Sequence, residues 1–123
     1  MPYVRVLIVD DLEPFRQAAS AVVGATPGFV VVGTAVDGEE SLAAVDEQRP
    51  DLVLMDVNLP GIDGLEATRR IRSREDAPVV VLLSTYEFSD IGGEAFSCGA
   101  RAYLTKAEFD SDWLRQVWDG LGS

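Results

Sequence analysis

The sequence predicts a doubly wound α/β fold, a parallel sheet covered by helices on both sides, and three observations point to it. Five short aliphatic runs recur along the chain, and helix-length segments separate them. Strands joined through helices require right-handed crossovers and therefore pair in parallel. Five such repeats in 123 residues are too few for a closed (β/α)₈ barrel. Lastly, the runs Val6-Leu7-Ile8-Val9 and Leu52-Val53-Leu54-Met55 both end on bare carboxylates, Asp10-Asp11 and Asp56.

The elements follow in order. Val4–Val9 reads as a first strand whose unbroken apolar run suits burial on both faces. Glu13–Gly24 reads as the first helix, and Pro27-Gly28 marks the boundary before the second strand, Phe29–Ala35. Asp37, with Glu40 three positions on, forms a capping box for the second helix, Glu39–Gln48. Arg49-Pro50 precedes the third strand, Leu52–Met55, which leads to the third helix, Leu65–Arg72. Ala77-Pro78 precedes the fourth strand, Val79–Leu83. A fourth helix over Phe88–Cys98, a fifth strand over Ala102–Leu104 and a fifth helix over Ser111–Leu121 complete the pattern. Without a linker, repeat or low-complexity tract, residues 1–123 are expected to form one domain.

Composition narrows the function. With 47% hydrophobic residues the chain can bury a core, yet no apolar run is long enough to span a membrane. Met1-Pro2-Tyr3 leads directly into a strand rather than a signal peptide. Cys98 is the only cysteine, so no internal disulfide forms; it reads as a small buried hydrophobe, and a reducing cytoplasm is the expected location. The absence of histidine excludes the usual zinc sites and His-based triads. A net charge of -11 opposes direct binding to a phosphate backbone and favours a metal cation or a basic protein surface. Arg69, Arg70, Arg72 and Arg74 read as a solvated basic face away from the strand ends.

Doubly wound sheets bind ligands beyond the carboxyl ends of their strands. Asp10 and Asp11 end the first strand there and Asp56 the third; Ser84 and Thr85 close the fourth, and Lys106 follows the fifth. Neighbouring strands lie ~4.8 Å apart, so their terminal acids can share one ion. Carboxylates this close repel each other, and a bound divalent cation reverses the sign. All-oxygen ligation points to Mg²⁺. Asp10 or Asp11 has a plainer alternative as a cap of the following helix, which Asp11 alone could fill, and Ser84 has the same alternative. A carboxylate beside Mg²⁺, a hydroxyl and a lysine is also the set needed to form an acyl phosphate.

Asp10-Asp11, the segment from Met55-Asp56 through Asn58, Pro60 and Gly64, Ser84, and Tyr103-Leu104-Thr105-Lys106 together resemble the receiver domain of bacterial two-component response regulators. The resemblance runs from Val4 to Leu121. It implies a flavodoxin-like, five-stranded parallel sheet in the order 2-1-3-4-5 with five helices. It also implies roles: Asp56 as phosphoacceptor, charged by a sensor histidine kinase or a phosphotransfer protein, and Asp11 as direct Mg²⁺ ligand. Asp10 would support the ion through water, and the Asn58 carbonyl would complete its shell. Lys106 would pair with the phosphoryl group, Ser84 would hydrogen-bond it, and Tyr103 would swing inward as Ser84 moves. Pro60 and Gly64 would shape the loop after Asp56. Tyr86 and Asn58 occupy positions that tune phosphate lifetime in this family. Ala107 stands where many receivers carry a cis proline, leaving that peptide's isomer open.

The resemblance further implies an output surface on the fourth helix, fifth strand and fifth helix, open to a homodimer, and a possible DNA-binding output domain outside this chain. Gly92-Gly93 should make the fourth helix marginal. On the fifth, Trp113 and Trp118 flank the stripe Leu114, Val117 and Leu121, either reaching the surface or sealing the core edge. Three other readings stay open. A phosphatase of the haloacid dehalogenase type would need a second acid where Asn58 stands. A degenerate receiver would serve only for interaction. A flavodoxin-like cofactor binder would need a phosphate loop that the first turn lacks.

Overall fold

The aliphatic side chains of each strand project alternately to opposite sides, so both faces of the sheet must be covered. The computed structural model, which describes residues 3–85 and 97–120, meets this with a single five-stranded parallel sheet in the order β2-β1-β3-β4-β5. Its strands are β1 (Val4–Val9), β2 (Phe29–Ala35), β3 (Leu52–Asp56), β4 (Val79–Ser84) and β5 (Ala102–Thr105). The helices are α1 (Glu13–Ala25), α2 (Gly38–Gln48), α3 (Gly64–Arg72) and α4 (Ser111–Gly120), with a short 3₁₀ turn at Lys106–Glu108. The expected helix over Phe88–Cys98, with Gly92-Gly93, falls outside the described residues except for its last two positions, as do Tyr86 and Leu121.

Alternation divides the core into two layers. Leu7, Val9, Val53, Met55, Val80 and Leu82 face α2 and α3, meeting Val45, Leu65, Ala67 and Ile71. Val6, Ile8, Leu52, Leu54, Val81 and Leu83 face α1 and α4, meeting Ala19, Val23 and Leu114. Cys98 is buried in the first layer, as a small hydrophobe would be. Trp113 and Trp118 pack half-buried against the second layer, edge-on to Phe109 and Phe29 respectively, so each lines the core edge while part of it stays at the surface.

Three details depart from the sequence reading. Strands β3, β4 and β5 each run one residue further, because Asp56 pairs with Leu83 and Ser84 with Thr105 in the ladder. The arginine cluster is not a free basic face. Arg69 and Arg70 both pair with Glu66, Arg74 grips both oxygens of Asp46, and Arg72 donates to the Pro78 carbonyl. The register of β2 against β1 slips between Val6 and Leu7, the bulge that a glycine inside a strand, Gly33, signals.

The cap of α2 is close to expectation. Asp37 accepts from the Glu40 N–H at 2.7 Å, but Glu40 reaches back to the Val36 N–H rather than to that of Asp37.

Candidate functional site

Four strand ends build the site. At the end of β1 the Asp10 N–H donates to the Ala35 carbonyl of β2, which carries the ladder one residue past the strand and draws Asp10 inside. Asp10 is fully buried. Its Oδ1 accepts the Leu12 N–H at 2.8 Å, and its carbonyl accepts from Arg16 Nη1 at 2.7 Å. The side chain that turns the chain into α1 is therefore Asp10, while Asp11 stays exposed and Leu12 holds the cap position without a side-chain bond. No side chain caps the first-turn donors of α1, so Asp11 is not a helix cap.

Asp56 ends β3 at 4% exposure, with the Asn58 N–H donating to its Oδ1 at 3.3 Å. The loop beyond it folds back so tightly that a Cβ at Gly64 would lie 2.0 Å from the Asp56 carbonyl oxygen. The Gly64 N–H donates to the Val57 carbonyl at 2.9 Å. Gly64 is thus required by the close approach of two backbones, which is how it shapes the loop. Pro60 is exposed in that loop.

Lys106 enters from the turn after β5, its side chain only 11% exposed. The ammonium lies 2.6 Å from Asp10 Oδ2 and 3.6 Å from Asp56 Oδ2. The first contact is a charge contact off the hydrogen-bonding direction, so Oδ2 of Asp10 keeps no aligned donor among the described residues. The ammonium also lies over the face of the Phe15 ring of α1, 4.5 Å from Nζ to its centroid. The Lys106–Ala107 peptide is trans.

Carboxylate oxygens of Asp10, Asp11 and Asp56 all lie within 4.8 Å of one another. Three acids thus face one lysine. Burial, and then the neighbouring Asp10 carboxylate, push the Asp56 carboxyl up from 3.8 to about 6; Lys106 and the Asn58 N–H oppose the shift. This donor set fits a hard divalent cation: the oxygens are close, the site carries surplus negative charge, and one buried oxygen lacks an aligned donor.

Ser84 is fully buried at the end of β4, one residue beyond the ladder partner of Asp56. Tyr103 lies half-buried on β5 against the α2–α3 core layer. Asn58 is exposed and meets Asp56 through its N–H. The sequence reading missed two residues of the first turn of α1, Phe15 and Arg16. Their signal was position alone, five and six residues past a strand-end acid.

The chain matches the family model of the response regulator receiver domain over residues 6–118. It is 43% identical over 104 residues to the response regulator GacA of Pseudomonas viridiflava, covering 84% of this chain and 48% of that protein. A protein-glutamate methylesterase/protein-glutamine glutaminase of a Nocardioides species is 39% identical over 110 residues, 86% of this chain and 30% of that one. The chain therefore spans less than half the length of these relatives. Among solved structures, a LuxR-family two-component response regulator from Aurantimonas sp. SI85-9A1 superposes with a TM-score of 0.86 at 34% identity. That match covers 97% of this chain and 84% of the other.

Proposed function

Because the chain belongs to the response regulator receiver family, we propose that it switches by accepting a phosphoryl group on Asp56 from a phosphohistidine of a sensor histidine kinase or phosphotransfer protein. The observation that carries the reading is the buried Asp56 carboxylate, clustered with Asp10 and Asp11 and sharing one ammonium, Lys106, with Asp10. A group that titrates near 6 is still ionised at neutral pH, so Asp56 is available as the attacking carboxylate.

Its oxygen attacks phosphorus; an O–P bond forms as the P–N bond to the donor imidazole breaks, and the imidazole keeps that bond's electron pair. Asp11 and Asp56 would hold Mg²⁺, with the Asn58 carbonyl and, through water, Asp10. When bound, the ion supplies positive charge to the oxygens of the transferring group. Lys106 supplies a second positive charge, and its ammonium, paired with the carboxylates beforehand, can turn to the new phosphoryl oxygens. Ser84 then hydrogen-bonds the phosphoryl group, and Tyr103 follows Ser84 inward. Slow attack by water at phosphorus restores Asp56.

The chain is a signalling domain rather than a turnover enzyme, and its relatives join receivers to different second units. The LuxR-family likeness favours a DNA-binding output, with the β5–α4 side, and the helix expected before it, as output or homodimer surface. Acetyl phosphate with Mg²⁺ tests the core of the reading. One hydroxylamine-labile phosphate should appear by intact mass and vanish in Asp56→Asn, whose amide is a poor nucleophile. Full labelling of Asp56→Asn would overturn it.

A further inference from the structure

Lysine is a poor residue for fixing a charge in one place. Its stem has four rotatable carbons, and its ammonium has no preferred fork geometry. Lys106 also sits in a 3₁₀ turn of only three residues, so its own backbone does little to aim the head group. Yet the side chain is nearly buried, and three groups surround Nζ: Asp10 at 2.6 Å, Asp56 at 3.6 Å and the Phe15 ring at 4.5 Å. The two carboxylates attract the ammonium from the side where chemistry occurs, and the closer one is Asp10, which does not react. The aromatic face supplies the remaining attraction, and a cation within about 6 Å of a ring centroid gains most where water is excluded.

The placement of that ring is built. Pro14 lies in the first turn of α1, where its fixed φ suits the helix start, and Asp10 anchors the entry through the Leu12 N–H. Phe15 follows at once, half-buried against the α1–α4 core layer, so its edge is held by packing while its face meets Nζ. Arg16, the next residue, ties the same turn to the Asp10 carbonyl. An aliphatic residue at position 15 would fill the same core space without attracting a cation.

We propose that Phe15 is a positioning residue for phosphoryl transfer: its ring face holds the Lys106 ammonium above the Asp10–Asp56 pair, where it meets the incoming phosphoryl oxygens. The proposal rests on the role given to Lys106 above. The ring does not touch the phosphoryl group; it limits where the ammonium can go. Phe15→Leu keeps apolar bulk and removes the π-face, whereas Phe15→Tyr keeps both. Pentafluorophenylalanine at position 15 keeps the shape and reverses the ring's charge distribution.

The test is the rate of Asp56 labelling by acetyl phosphate at saturating Mg²⁺, together with the NMR shifts of the Lys106 ε-methylene protons in metal-free protein. Phe15→Leu and the fluorinated variant should both label about three- to tenfold more slowly, while Phe15→Tyr labels at the wild-type rate. The ε-methylene protons should lie upfield in wild type and Phe15→Tyr through the ring current, and return to ordinary lysine positions in Phe15→Leu. In a Lys106→Met background, Phe15→Leu should cause no further loss, because the pair acts as one unit. Unchanged labelling in the fluorinated variant, equal loss in Leu and Tyr, or the same loss in the Lys106→Met background would each overturn the proposal. Wild-type labelling by Lys106→Met would instead overturn the role of Lys106, and the proposal with it. Should Phe15→Leu fail to fold, the fluorinated variant alone decides.

Discussion

Asp56 is under opposing demands, since burial and the Asp10 carboxylate disfavour its charge while the proposed phosphoryl transfer requires that charge. Its carboxyl titrates near 6 in the folded chain against 3.8 for an ordinary aspartate. Below about pH 3 the group is protonated in both states and costs nothing. As pH rises through that interval the unfolded chain loses its proton first, so the folded state binds more protons and stability falls. Above pH 6 the loss is complete, at most about 3 kcal/mol. In EDTA, Asp56→Asn should therefore be more stable than wild type at pH 7, with most of that difference gone at pH 4 and none left near pH 3, measured by urea unfolding. An equal difference at all three pH values would contradict this. Gly64→Ala should act on the same residue through the backbone: the added methyl meets the Asp56 carbonyl, so melting temperature and labelling should fall together. At this scale the acids, Ser84 and Lys106 were legible in the sequence, because polar residues ending buried strands are conspicuous. That Asp10 rather than Asp11 accepts the Leu12 N–H at the entry to α1 was not, since adjacent acids look alike until the ladder draws one inside. Phe15 was hidden for the opposite reason, as an aromatic on an amphipathic helix looks like core.

Elements show where periodicity informs and where it stops. The five strands and the four described helices followed from the aliphatic runs and the segments between them, but β3, β4 and β5 were each read one residue short. Hydrophobicity ends at Met55, Leu83 and Leu104, whereas strand ends are decided by ladder hydrogen bonds that ignore side-chain type. The arginines around the end of α3 failed as a basic face because their partners, Glu66 and Asp46, are ordinary exposed acids, one of them on α2. Such exposed pairs contribute little each, so their effect is on local charge rather than stability. The cap of α2 contributes more. Asp37→Ala removes the acceptor of the Glu40 N–H and should cost about 1 kcal/mol by urea unfolding. Because α2 covers only the α2–α3 layer, the labelling chemistry of Asp56 should be nearly unchanged. A stability loss within error of zero would mean that water satisfies that donor equally well.

Across the whole molecule, an excess of 11 negative charges raises the question of whether cations gather diffusely or at one place. The three acids at the strand ends favour one place, because among the described residues only there do carboxylate oxygens from two strands converge within 4.8 Å beside a buried, incompletely hydrogen-bonded oxygen. A ligand that binds only the folded state stabilises it by mass action, about 2.7 kcal/mol at a hundredfold excess over Kd. For a chain of this length that corresponds to a rise of roughly 10 °C in Tm. Since the same Asp56 oxygens take up a proton near pH 6, the gain should shrink as pH falls below that value. Asp11→Ala should remove most of the response. Asp46→Ala should retain it, because that acid lies on the surface of α2 and is already held by Arg74. Thermal melts across a Mg²⁺ titration at pH 7.5 and pH 5 separate the alternatives: equal losses in the two variants, or a gain independent of pH, would mean that the ions form a diffuse atmosphere and that the strand-end acids do not act as a site.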